Sequence, residues 1–125
     1  MQLIERLTML KLAVTDMPMA KEFYAEKLGL EVVSDYRQDD ENWWVSLILP
    51  EGGITITLST NPENMQPGAA VLYFSTSDVT AAHSDLAAKR VDVQEIKDDL
   101  YGPGSGVKWF SFDDPAGNKL FIAQA

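Results

Sequence analysis

Two tryptophans, Trp44 and Trp109, are the side chains of this sequence best suited to hold a small molecule. Aligned on Pro50 and Pro115, the stretches that carry them pair Trp44 with Trp109, Ser46 with Ser111, and Val45 and Leu47 with Phe110 and Phe112. Successive strand residues point to opposite faces. The aliphatic and phenyl pairs therefore go under a covering layer, and both indoles go to the opposite, inner face. An indole there stacks on a planar ring or a cation, or else fills sheet curvature or a subunit contact. Lys11 is the only inner-face cation of the first strand and would anchor a carboxylate. Other chemistry is thin. There is no cysteine, which excludes disulfides, thiolate metal sites and cysteine nucleophiles. The single histidine, His83, falls in a helical stretch at an expected surface or boundary position. No Ser/His/Asp spacing supplies a nucleophile and its base. Asp39, Asp40 and Glu41 offer carboxylates to a cation, but such a run in a turn is ordinarily solvated surface. Asp98 to Gly106 (DDLYGPGSG) has the glycines of a phosphate cradle without a following helix to supply amides, so a flexible flap ahead of Trp109 is expected.

The elements that position these residues follow from periodicity. In Met9 to Val32, Leu10, Leu12 and Val14 alternate with Met9, Lys11 and Ala13 as in a strand. Asp16 caps a helix, with Pro18 in its first turn. Met17, Ala20, Phe23, Tyr24 and Leu28 form the apolar helix face, and Gly29 ends it. The unit recurs 62 residues later: Asp78 matches Asp16, Val79 matches Met17, Ala82 matches Ala20, and Leu72 and Phe74 fall where Leu10 and Leu12 fell. Arg90 stands where the first copy turns at Leu28-Gly29, so a non-glycine is expected in a left-handed conformation. Between the copies, Asp35 to Asn42 reads as a polar hairpin loop, Trp43 to Leu49 and Ile54 to Ser59 as strands, and Asn61 to Gly68 as a linker. In the second half, Val91 to Ile96, Val107 to Asp113 and Lys119 to Gln124 read as strands, with a tight turn at Asp114 to Asn118. Each half thus reads β-α-β-β-β. The modules span 1–62 and 69–125 and are expected to form one α+β domain. The helix covers one sheet face, and the other must meet a partner or a ligand.

Composition bounds the rest. The 125 residues are 46% hydrophobic, enough for a sizeable core and too apolar for disorder. The net charge of −9 argues against nucleic acid, which needs Lys and Arg. It favours cationic ligands or simply solubility. No run of eighteen apolar residues is present to span a membrane, and the first residues, MQLIERL, lack an apolar signal core, so a cytoplasmic location is expected.

Phe23-Tyr24 followed by Lys27-Leu28-Gly29-Leu30, the repeat at Asp78, and the closing Asp114-Pro115-x-Gly117-Asn118 make the chain resemble the vicinal oxygen chelate superfamily. That superfamily includes glyoxalase I, the bleomycin resistance proteins and the extradiol dioxygenases. The resemblance covers nearly the whole chain. It implies paired β-α-β-β-β modules forming curved sheets around a cleft, usually in a homodimer. In the metal-using members the resemblance implies four inner-face ligands, usually His, Glu or Gln, on the first and last strands of each module. The corresponding positions here are Met9, Thr57, Val71 and Phe121, none of which replaces a histidine or carboxylate on a divalent ion. No metal or other cofactor is therefore expected, and Met9, Lys11, Thr57, Val71, Tyr73 and Phe121 join the two tryptophans as lining residues.

Three functions remain open. One is a metal-free binding protein, similar to bleomycin resistance proteins, that sequesters a planar or aromatic ligand in the inter-module or dimer cleft. Another is a lyase or isomerase of the superfamily with a non-standard active site. The third is a ligandless dimeric interaction module.

Overall fold

A computed structural model describes residues 3–61 and 65–125. Residues 62–64 of the expected linker, and Met1 and Gln2, lie outside them. The chain divides after Pro67 into two compact units, each considered by itself.

Unit 1 runs β1 (Met9–Ala13), α1 (Met17–Glu22), β2 (Glu31–Asp39), β3 (Asn42–Ile48) and β4 (Thr55–Ser59). The Asp16 carboxylate accepts the Met19 amide at 3.1 Å, satisfying one of the free donors of the first turn. After Glu22 the helix widens into a π-helical turn through Phe23–Lys27, with the Leu28 amide donating to the Phe23 carbonyl at 3.0 Å. The widened turn carries the adjacent rings Phe23 and Tyr24, both buried and in edge-to-face contact. Gly29, at φ +82°, ends the helix as expected. The sheet order is β1-β4-β3-β2, with β1 parallel to β4 and the other pairs antiparallel. Leu12, Val45, Leu47, Ile56 and Leu58 are buried on the sheet face whose alternation the sequence displays. Each such side chain contributes about 1.5–3 kcal/mol by burial.

Unit 2 runs β5 (Val71–Thr76), α2 (Val79–Ala88), β6 (Trp109–Asp113) and β7 (Lys119–Gln124), with sheet order β5-β7-β6. Asp78 caps α2 through the Ala81 amide at 3.0 Å, repeating the Asp16 cap. Leu72, Phe110, Phe112, Leu120 and Ile122 are buried with Val79 and Leu86 of the helix. The 114–118 turn is a closed network. Asp114 Oδ1 accepts the amides of Ala116 and Asn118, Asp114 Oδ2 accepts Asn118 Nδ2, and Asn118 Oδ1 accepts the Ala70 amide at 3.0 Å, tying the turn to the chain entering β5. Gly68 abuts this turn so closely that a Cβ there would lie 2.8 Å from the Ala116 carbonyl oxygen.

Four expectations change. The segment 35–42 is not a loop, because β2 continues to Asp39 and only Asp40 and Glu41 turn. β2 is an edge strand exposed along most of its length, so polar residues suit it. Val91 to Ile96 is not a ladder strand. The Val91 amide closes the end of α2 on Leu86 and the Val93 amide turns back to Val91, which spends their donors locally. Only Gln94 and Lys97 reach β6, through Ser111 and Trp109. The 98–106 loop is not simply flexible, since Gly102 bonds to Asp99, Ser105 to Gly102 and Leu100 to Val107. Finally, β1 ends at Ala13, which is buried along with Leu12 and Val14, so the alternation there breaks down.

Candidate functional site

Strand register places all eight expected lining residues on the sheet faces opposite the buried stripes, four in each unit. In unit 1, Lys11, Thr57, Ser46 and Ser34 form one cross-strand row, and Ala13, Ser59, Trp44 and Tyr36 the next, with Met9 beside Thr55 at the other end. Thr57 is buried, and its hydroxyl is 2.9 Å from that of Ser46. Lys11 Nζ lies 5.5 Å from the centroid of the Trp44 ring. Tyr36 stacks on Trp44 with centroids 5.6 Å apart and planes 15° apart. The Trp44 Nε1 atom is buried and has no hydrogen-bond partner.

Unit 2 presents an aromatic tier instead. Tyr73, Phe121 and Ser111 form one row, Ser75, Ala123 and Trp109 the next, and Val71, Lys119 and Asp113 a third. Tyr73 stacks on Phe121 at 4.5 Å, and Trp109 tilts against Phe121 at 5.4 Å. Tyr73 is 63% exposed and Val71 59%. The Trp109 indole N–H donates to Asp99 Oδ1 at 3.0 Å, and Lys97 Nζ lies 5.7 Å from its centroid. Beside the tier is a pocket of about 500 Å³ lined by Tyr73, Phe74, Ser75, Leu100, Tyr101 and Ala123. The glycine-rich loop thus meets the aromatic tier, held through Asp99 and lending Leu100 and Tyr101 to the pocket.

Three participants escaped the sequence reading. Tyr36 lies in a charged stretch whose composition suits a loop, although Ser34 and Tyr36 do alternate with Asp35 and Arg37 as in a strand. Asp99 and Tyr101 lie in a loop, where no periodicity shows which way a side chain points.

The four positions at which metal-using members carry ligands hold a thioether, a hydroxyl already paired with Ser46, an isopropyl group and a phenyl ring. This donor set does not fit a divalent ion. Among the described residues no three His, Cys, Asp or Glu side chains gather to hold one. His83 Nε2 is 2.9 Å from the Gln94 carbonyl oxygen, and its ring meets Phe110 edge-on at 4.9 Å, a packing role on α2. Of the acidic run 39–41, Asp39 Oδ1 accepts the Glu41 amide and Asn42 Nδ2, and Asp40 pairs with Arg37.

The titratable group most clearly perturbed is Asp35, on the other face of β2. The Lys21 ammonium at 2.6 Å, then the Trp43 indole N–H at 2.7 Å, hold its carboxyl below the ordinary aspartate value, with burial a smaller opposing effect. This pair is structural: it ties α1 to β2 and β3. Among the described residues no helix is long and apolar enough to cross a membrane.

A family model, Glyoxalase/Bleomycin resistance protein/Dioxygenase superfamily, matches residues 6–122. No curated protein matches the sequence. Among solved structures the chain is similar to TnmS3, an antibiotic binding protein from Streptomyces sp. CB03234, with a TM-score of 0.86 and 25% identity over 99% of this chain and 98% of that one. It is also similar to a glyoxalase/bleomycin resistance protein from the same organism, with a TM-score of 0.77 and 25% identity over 94% and 99% of the two chains. A superfamily member from Sphaerobacter thermophilus DSM 20745 shares the fold, with a TM-score of 0.81 at 22% identity over 98% of each chain.

Proposed function

Because the chain belongs to the glyoxalase/bleomycin resistance protein/dioxygenase superfamily, we propose that it is a metal-free binding protein that sequesters a planar or aromatic small molecule. The observation that carries this reading is the tier of Tyr73, Phe121 and Trp109 on the uncovered face of unit 2, beside a pocket large enough for a ring system. Ligand sites join apolar and aromatic walls to a few placed polar groups, and this face supplies both. The TnmS3 structure, an antibiotic binding protein of similar fold, points the same way. The donor set at the usual metal positions argues against the metal chemistry of the superfamily. No nucleophile with a base supports a lyase or isomerase. Trp44 and Lys11 of unit 1 belong to the same reading, as does a homodimer that covers exposed apolar residues such as Leu3, Ile4, Leu7 and Val71. Its cellular setting is read as cytoplasmic, with no nucleic-acid or membrane partner.

The test is a titration of tryptophan fluorescence against a panel of planar drugs and aromatic acids, on protein whose metal content and mass have been measured by elemental analysis and light scattering. Saturable quenching by at least one planar ligand on metal-poor dimeric protein is the expected result. A transition metal near one per chain, removable by chelator with loss of binding, would sink the metal-free reading.

A further inference from the structure

We propose that Trp44 recognises an oxygen acceptor on the ligand through its indole N–H, so that the preferred ligand is an aromatic ring bearing a carbonyl or carboxylate group. This rests on the binding reading above and deepens it. The chain has three tryptophans. Two of them spend their N–H on a carboxylate of their own unit: Trp43 on Asp35 at 2.7 Å and Trp109 on Asp99 at 3.0 Å. Trp44 does not. Among the described residues its Nε1 is the one buried side-chain nitrogen or oxygen without a partner. Buried polar groups are nearly always paired, and a site built to hydrogen-bond a ligand leaves its own donor unpaired until the ligand binds.

The surroundings favour an oxygen. The nearby cation is Lys11, whose ammonium lies 5.5 Å from the Trp44 centroid and draws in negative or partly negative groups while repelling cations. Of the hydroxyls on this face, those of Ser46 and Thr57 face each other at 2.9 Å, and that of Ser59 donates to the Asn61 carbonyl. The carboxylate of Asp35, next to Tyr36 in sequence, is turned to the other face, where Lys21 and Trp43 hold it. Tyr36 covers one face of the indole as a nearly parallel ring, yet it is 54% exposed and sits on an edge strand between two register shifts.

The experiment uses three probes of similar shape: 2-acetylnaphthalene, 2-naphthoate and 2-ethylnaphthalene, the last without an acceptor. Affinities are measured by calorimetry on the full chain. The indole resonances are followed in ¹H–¹⁵N spectra, Trp44 being identified by the peak lost in Trp44→Phe. The acetyl and carboxylate probes are expected to bind roughly tenfold more tightly than the ethyl probe and to move the Trp44 indole proton downfield, with the preference collapsing in Trp44→Phe. If that variant does not fold, the unmodified chain still decides through its affinity ratio and the Trp44 peak. Equal affinities for all three probes with an unmoved Trp44 peak would overturn this inference and leave the binding reading standing. Failure of all three to bind up to their solubility limits would count against both.

Discussion

The two units start from the same supersecondary plan and diverge on their open faces. Both have an aspartate-capped helix and a mixed sheet whose first strand runs parallel to its last. In unit 1 the open face is hydroxylic and cationic, with one indole under a tyrosine. In unit 2 the corresponding rows hold stacked rings. Unit 1 has a nine-residue β2 where unit 2 has an irregular segment, and unit 2 has a sealed turn where unit 1 has the open Pro50–Gly53 turn. The pattern of apolar residues toward the helices is kept in both units, while the opposite face carries different side chains in each. A duplicated scaffold can in this way present two surfaces of different chemistry.

The largest expected effect breaks the contrast between the turns. Asp114→Ala removes the acceptor of three hydrogen bonds and leaves buried Asn118 donors unpaired, so a loss of roughly 3 kcal/mol is expected. Glu51→Ala in the exposed turn of unit 1 is expected to change stability by less than about 0.5 kcal/mol. Urea unfolding of both variants makes the check; similar midpoints would mean the sealed turn matters no more than the open one. Next is the contrast between indoles. For a planar ligand without an oxygen acceptor, such as 2-ethylnaphthalene, Trp109→Ala is expected to weaken binding about tenfold, near 1.4 kcal/mol, and more than Trp44→Ala does. Unchanged affinity, or an unfolded Trp109→Ala, would make that indole structural.

A smaller effect concerns the helix ends. Gly29 ends the first helix at φ +82°, whereas Arg90, after the second, takes φ +67° with a side chain. Arg90→Gly is therefore expected to stabilise by about 0.5–1 kcal/mol and Gly29→Ala to destabilise by about 1 kcal/mol, read as opposite shifts in melting temperature. The smallest effect is the Asp35 pair, found only in unit 1. A carboxyl whose folded value lies below its unfolded value adds stability above the unfolded value, about 3.9. That stability is lost as pH falls through the folded value. Its side chain is 32% exposed, so the contribution is screened to below about 1 kcal/mol. The stability difference between the natural chain and Asp35→Asn should thus be constant near neutrality and vanish in acid; a difference that grows toward low pH would reverse the assignment.

Much of this was readable from residue order alone. The Asp16 and Asp78 caps, the Gly29 and Arg90 turns, the buried stripe of Val45, Leu47, Phe110 and Phe112, and the emergence of Trp44 and Trp109 on the other face are local consequences of periods of 3.6 and 2 and of the left-handed residues that end helices. Contacts between residues far apart in sequence were decided only by the folded chain. Asp99 on the Trp109 indole, Tyr36 on the Trp44 ring, and the partnerless Trp44 N–H depend on strand register and loop path, which no local pattern encodes. The same holds for 91–96, where composition suits a strand but the Val91 and Val93 amides are taken by the helix end and a tight turn. It holds as well for 35–39, where charge suggested a loop but pairing with β3 made an edge strand, because a strand needs a neighbour for its hydrogen bonds and tolerates polar side chains wherever it faces water.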